Sequence, residues 1–365
     1  MKVIKLVILN KKILQIIDTL NPGGMENVFV DMCNILNRNR AKVTILFTRK
    51  PGPLSRKLDS TIKQISLNRR WRFSAIAAVK LLLTFKNYNI IHVHGRYNFS
   101  YVKAVISLYP KKKYQVFFHD HYGAIDIDKT VPRILKIFNY GFVYIGVSKS
   151  LTDWALNNLG LESNKINLLP NIRDIEPLNI IDNRYRAEDK DIYKLVHVAN
   201  IHPVKNIEFS IKILHHLNSK GEFRLTVYGS IADKTYFESL LSLSKKLGVE
   251  KNLLFIHNKS DIPSILGKYD LGLCTSKSES GPLVLIEYLS QGVPFLSFDT
   301  GEVVRQTAKK YPFFILDNFD IQKWSSQILD ILVNRFTDKK QLIKYFEKKY
   351  SDKAYYDKLI DIYSQ

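Results

Sequence analysis

Glu279 and Glu287 stand with seven residues between them in ESGPLVLIE, a segment otherwise made of apolar and small residues. Carboxylates accept hydrogen bonds from hydroxyl groups. Between the two acids lie Leu283 and Val284, at the start of a run with helical spacing. Backbone amides at a helix N-terminus attract anions. An anion site flanked by two carboxylates suits a ligand that carries both phosphate and hydroxyls. Taken alone, the pair also fits two solvated charges, one on a loop and one on a helix.

The elements around the pair decide how it is held. Leu271 to Cys274 reads as a buried strand and Thr275 to Ser280 as a polar loop. Pro282 to Ser290 reads as a helix with Pro282 near its first turn, where a missing N–H costs nothing. Gln291-Gly292 ends it, with glycine as the cap. Val293 to Phe298 is the next strand. Strand, loop, helix and strand make a βαβ unit, which implies a parallel sheet with ligands at the carboxyl ends of its strands.

The same alternation runs through the chain. Ile13 to Ile17, Lys42 to Phe47, Ile90 to Val93, Gln115 to Phe118 and Phe142 to Val147 read as strands. Glu26 to Leu36 is a helix entered through a turn at Gly23-Gly24, where a ligand can approach the backbone closely. Phe73 to Phe85 reads as a core helix, too short to span a bilayer. His92 and His94, then His119 and His121, sit at strand ends. They offer metal-ligand chemistry, but no convincing metal constellation emerges. A second half opens at Lys194 to Val198, and Leu342 to Tyr363 reads as terminal helix.

At 365 residues the chain is long enough for two domains. Its formal net charge of +21 favours anionic partners. No nucleic-acid motif accompanies that charge, so nucleic acid is not expected. Basic clusters lie at Arg38–Arg40, at Arg69, Arg70 and Arg72 beside Trp71 and Phe73, and at Lys111–Lys113. The aromatic-containing cluster suits an anionic membrane surface, and equally a solvated loop. The two cysteines, Cys33 and Cys274, read as small core residues in a reducing compartment. The N-terminal segment lacks a small-residue cleavage site. A cytoplasmic protein is expected, either soluble or peripheral on the inner face of the membrane.

ESGPLVLIE followed by GVPFLSFDTGEV resembles the donor-binding signature of glycosyltransferase family 4. GGME at Gly23, FVYIGVSKS, INLLPN and VHVANIHPVKN resemble further family segments. The resemblance implies a GT-B fold, with two Rossmann-like domains facing a cleft and a last helix crossing back to the first. Domain limits of 1–172 with about 345–365, and 173–344, are expected, joined by a linker over residues 172–191. The resemblance further implies a retaining, metal-independent hexosyltransferase in cell-surface polysaccharide or lipopolysaccharide synthesis. Its substrates would be a nucleotide-sugar donor and a glycan or lipid-linked acceptor, with no cofactor. His119 and Glu279 would be catalytic. Gly23, Gly24, Asn200, Lys205, Leu283, Val284 and Glu287 would bind the donor. Asn200 stands where the family has an arginine, so one bidentate phosphate contact is replaced by a neutral amide. Two alternatives are a non-catalytic GT-B scaffold at a membrane and a GT-B nucleotide-sugar epimerase.

Overall fold

The computed structural model describes residues 10–71, 74–107, 114–137, 139–178, 192–259, 261–333 and 338–365. They form two compact units, residues 1–174 with 351–365, and residues 175–350. Of the expected linker, residues 179–191 lie outside the described residues, as do Arg72, Phe73 and Lys111–Lys113.

In the first unit, seven parallel strands run β1 (Lys12–Ile17), β2 (Lys42–Phe47), β3 (Lys63–Ser66), β4 (Ile90–His94), β5 (Gln115–Asp120), β6 (Val143–Gly146) and β7 (Ile166–Leu168). Their order across the sheet is β3-β2-β1-β4-β5-β6-β7. KILQII in β1 is buried at every position after Lys12, as a strand covered on both faces must be, and its one buried polar residue, Gln15, is hydrogen-bonded. Phe29, Met32 and Leu36 of helix α1 (Gly24–Arg38) close one face of the sheet. The other face is covered by helices α2 (Ala75–Phe85), α3 (Arg96–Ser107), α4 (Arg133–Ile137) and α5 (Lys149–Leu159).

The second unit has six parallel strands, β8 (Ile192–Val198), β9 (Glu222–Tyr228), β10 (Leu253–Ile256), β11 (Leu271–Cys274), β12 (Phe295–Phe298) and β13 (Ile315–Leu316). They are ordered β10-β9-β8-β11-β12-β13. Its helices are α6 (Ile207–Asn218), α7 (Lys234–Lys246), α8 (Pro263–Leu266), α9 (Leu283–Ser290), α10 (Glu302–Ala308), α11 (Ile321–Val333) and α12 (Lys339–Lys349). Both orders reverse direction once, between β1 and β4 and between β8 and β11. In doubly wound sheets, ligands settle at the carboxyl ends of strands flanking that reversal.

Several boundaries differ from the sequence reading. The terminal helical stretch breaks at Tyr350. Ser351 caps a separate helix α13 (Asp352–Tyr363) by accepting from the Ala354 amide at 3.3 Å. This helix belongs to the first unit, where Tyr355, Tyr356, Leu359, Ile360 and Tyr363 join the core beside α1. Strand β5 extends through His119 and Asp120, because parallel pairing with β6 reaches Asp120↔Gly146. Helix α9 begins at Leu283, one residue later than read, with Pro282 in extended backbone just before it. Finally, α2 is a core helix along one stripe only. Ala77, Leu81 and Phe85 are buried, while Ile76, Val79 and Leu83 face outward.

Candidate functional site

In the second unit, the sheet reversal brings two loops together. One follows β8 and carries Lys205; the other follows β11 and carries Glu279. Lys205 Nζ donates to Glu279 Oε1 at 2.5 Å, with both side chains partly open to solvent. Burial works against the Lys205 ammonium, but the Glu279 charge and hydrogen bond outweigh it and raise its pKa. An ammonium has three protons to donate. With one directed at Glu279, the group keeps capacity for a second acceptor such as phosphate.

The scaffold under this pair is fixed by short polar contacts. His197 on β8 contacts Ser210 on α6 at 2.9 Å, and Ser210 contacts Thr275 at 3.2 Å. Thr275 Oγ1 donates to the carbonyls of Lys205 and Asn206 at 3.1 and 2.9 Å, so the lysine turn is tied to the end of β11. The two loops also share a backbone bond, Lys277 N to Val204 O, at 2.8 Å. Burial, followed by the nearby Lys205 charge, lowers His197 to about 3, so it is a neutral structural partner. On the far side, the Glu279 amide donates to Thr300 Oγ1 at 3.0 Å. Gly301 follows with φ +86°, and an added Cβ would lie 2.8 Å from Pro282 Cδ and 3.2 Å from Glu279 Cβ. Only glycine fits that approach without strain.

Leu283 and Val284 are the first two residues of α9 and are half-buried. Their amides precede the first intrahelical bond, as the opening amides of any α-helix do. Glu287 lies in the second turn of α9 and is 9% exposed. Asn200 is exposed on the loop after β8. That loop runs against the end of β9 so closely that a Cβ on Gly229 would sit 1.9 Å from the Ala199 carbonyl. Sequence reasoning assigned no role to Gly229, Thr275, Thr300 or Ser210. Their contacts depend on strand order, which no local pattern carries.

Gly23, Gly24 and His119 belong to the first unit. Gly23 is the cap residue before α1 and Gly24 its first residue, both accessible at the carboxyl end of β1. His119 is fully buried within β5, and neither ring nitrogen has a hydrogen-bond partner among the described residues. It lies beside His94, its register partner on β4. Sequence reasoning found no convincing metal constellation, yet the parallel register brings nitrogen atoms of His92, His94 and His119 within 4.8 Å of one another. Two of these rings are already in use. With each donor matched to an acceptor, one chain of bonds runs in a single direction. His121 donates to His94 Nδ1 at 3.1 Å, His94 Nε2 to Gln15 Oε1 at 3.1 Å, and Gln15 Nε2 to Tyr363 Oη at 2.8 Å. Tyr363 then donates to His92 Nδ1 at 2.6 Å. A metal drawn to the cluster would compete with this chain at His94. Burial is the leading cause that lowers His92 and His121 to about 3, and His94 and His119 well below the ordinary imidazole value.

Comparison with known proteins settles the family. The profile described as Glycosyltransferase Family 4 matches residues 22–177, and the one described as Glycosyl transferases group 1 matches residues 181–349. The chain belongs to glycosyltransferase family 4. Its family relative N-acetyl-alpha-D-glucosaminyl L-malate synthase of Bacillus anthracis is 23% identical over 260 residues, which span 67% of this chain and 66% of that protein. The chain therefore spans just under two thirds of that relative. Anabaena HepE (Alr3699), solved with UDP and glucose, is similar in structure, with a TM-score of 0.77 at 16% identity over 96% of this chain and 99% of that one. The lipopolysaccharide outer core galactosyltransferase WaaB, in its apo form, is similar with a TM-score of 0.70 at 17% identity over 96% and 98%. These likenesses establish the GT-B type of fold for this family member. No helix among the described residues is long and apolar enough to cross a membrane.

Proposed function

We propose that the chain transfers a hexose from a nucleotide-sugar donor to a glycan or lipid-linked acceptor, with retention at the anomeric carbon. The observation that carries this reading is the Lys205–Glu279 pair on the two loops at the sheet reversal of the second unit. Lys205 and the opening amides of α9 stabilise the donor's diphosphate. Glu279 accepts hydrogen bonds from sugar hydroxyls, and Glu287 accepts them from the ribose. In the transfer, the bond from the anomeric carbon to the diphosphate oxygen breaks and the diphosphate leaves with the electron pair. The acceptor oxygen bonds to that carbon on the same face and passes its proton to the departing diphosphate oxygen. Glu279 is not a covalent nucleophile in this scheme. Gly23 and Gly24 let a ligand approach the backbone of the first unit closely, while His119, buried in this structure, keeps its ring within β5.

Fixed amide dipoles and one ammonium meet the charge that builds on the leaving group, so the reaction runs without a metal. Removing one such donor costs about 3 kcal/mol of transition-state stabilisation. The UDP and sugar in the HepE structure make UDP-hexoses the first donors to test. A lipid-linked acceptor in cell-surface polysaccharide or lipopolysaccharide synthesis places the enzyme at the inner face of the membrane. The test is a thermal-shift screen of nucleotide sugars against wild type, Lys205→Ala and Glu279→Gln. The expected result is stabilisation of wild type by one nucleotide sugar, weakened in both variants. Stabilisation of all three proteins alike would refute the assignment of the pair. No stabilisation by any nucleotide or nucleotide sugar would favour a non-catalytic scaffold, the reading that Asn200 in place of arginine supports.

A further inference from the structure

We propose that the outward face of α2 is a docking surface for an anionic lipid bilayer. The inference deepens the membrane-peripheral reading above by naming the element that makes contact. The sequence AIAAVKLLLTF is apolar on nearly every side. A helix of that composition belongs inside a protein, yet only the Ala77, Leu81 and Phe85 stripe is buried. Ile76, Val79 and Leu83 recur at helical spacing on the opposite side, 72%, 56% and 56% exposed. Trp71, just upstream, is 78% exposed.

The presentation of this face is fixed. The residue before Arg70 and Trp71 is anchored: Arg69 is buried, its guanidinium lies 4.0 Å from the Tyr101 ring centroid of α3, and its amide donates to the Thr48 carbonyl at 3.0 Å. Ser74 caps α2 by accepting from the Ala77 amide at 3.3 Å. Every large apolar side chain of the first unit that is exposed among the described residues belongs to residues 71–156. These residues include the α2–α5 layer, and the α1 face has none.

Charge selects the occupant. Between Asp59 and Asp120 the sequence holds eleven lysines and arginines and no carboxylate. Exposed Arg70 and Lys80 flank the apolar stripe. A twofold contact with a second copy would press this face against itself, cation on cation, with no acid in residues 60–119 to answer. Nucleic acid would meet the cations but not the aliphatic stripe. Anionic headgroups over acyl chains satisfy both parts, with tryptophan at the boundary. At 11 residues, α2 is about 16 Å long, too short to cross a bilayer, so it lies in the interface plane.

The test is cosedimentation of the full chain with vesicles of phosphatidylcholine alone or mixed with phosphatidylglycerol, at low and high salt. Wild type is expected to bind the mixed vesicles and to release with salt. Exchanging Arg70 and Lys80 for glutamine is expected to weaken partitioning about fivefold per charge. The triple variant Ile76→Ser/Val79→Ser/Leu83→Ser is expected to weaken it at least about tenfold. Thermal melts verify folding, and sedimentation velocity reports self-association. Equal binding by wild type and the triple variant overturns the proposal, because general positive charge then suffices. So does the absence of wild-type binding, or a dimer that only the triple variant loses. Stabilisation by nucleotide sugars is measured on the same proteins. Donor binding without vesicle binding sinks the docking face alone, and vesicle binding without donor binding sinks the transferase reading alone.

Discussion

Acid is expected to unfold the first unit before the second. His92, His94 and His119 are fully buried in that unit. Burial holds the rings neutral, with His92 at about 3 and the other two well below the ordinary value. In the unfolded chain a histidine titrates near about 6.5. Because the native values are depressed, the unfolded state takes up protons that the native state refuses. The contribution is therefore full above about pH 6.5 and is lost as pH falls toward the native values. Each site loses about 1.4 kcal/mol per pH unit, so these three lose about 6 kcal/mol between about pH 7 and pH 5, and His121, also lowered to about 3, adds to the loss. Asp120 opposes this in part. Burial raises its carboxyl despite the Arg96 charge, so its native form accepts a proton earlier than the unfolded one. A domain's whole stability is about 5–15 kcal/mol. The second unit has one comparable histidine, His197, and is expected to lose about a quarter as much. Trp154 is buried in the first unit and Trp324 in the second. Urea unfolding of Trp324→Phe, and of the double variant Trp71→Phe/Trp154→Phe, therefore follows each unit separately across pH. If the Trp154 transition moves with pH no more than the Trp324 transition, the neutral buried histidine cluster is wrong.

Other outcomes follow from single contacts. Tyr363→Phe leaves Gln15 Nε2 and His92 Nδ1 without their shared hydroxyl, and is expected to cost the first unit about 1–3 kcal/mol in urea unfolding while sparing the second. Gly301→Ala forces a side chain into φ +86° against Pro282, and is expected to cost the second unit about 1–3 kcal/mol and to weaken nucleotide-sugar binding. Glu279→Gln removes the charge that raises Lys205, so the lysine is expected to titrate lower, as read from the pH dependence of amine labelling. An unchanged labelling profile would separate the two side chains in solution.

Much of the second unit was legible because its signals are local. ESGPLVLIE carries its own strand end, loop and helix start, and the Leu271 to Phe298 unit folds as read except that its helix starts at Leu283 and its second strand at Phe295. Lys205 and Glu279 were both singled out, but their contact spans 74 positions and depends on β8 lying beside β11. The histidine cluster was missed for the same reason. His92, His94 and His119 appear as scattered strand-end residues until the register places β4 beside β5. With α2, the period was right and the environment was not. An apolar helix reads as core, and sequence alone does not show that only one of its stripes meets a neighbour.

The last helix sets an order of events during synthesis. Gln15, in the first strand of the first unit, bonds to Tyr363, which lies 348 positions later. The core beside α1 lacks Tyr356, Leu359 and Ile360 until residues 351–363 have left the ribosome. Domains emerging from the exit tunnel usually mature from the N-terminus onward. Here residues 175–350 emerge whole while the first unit still waits for its closing segment, so the later-made half is free to finish folding first.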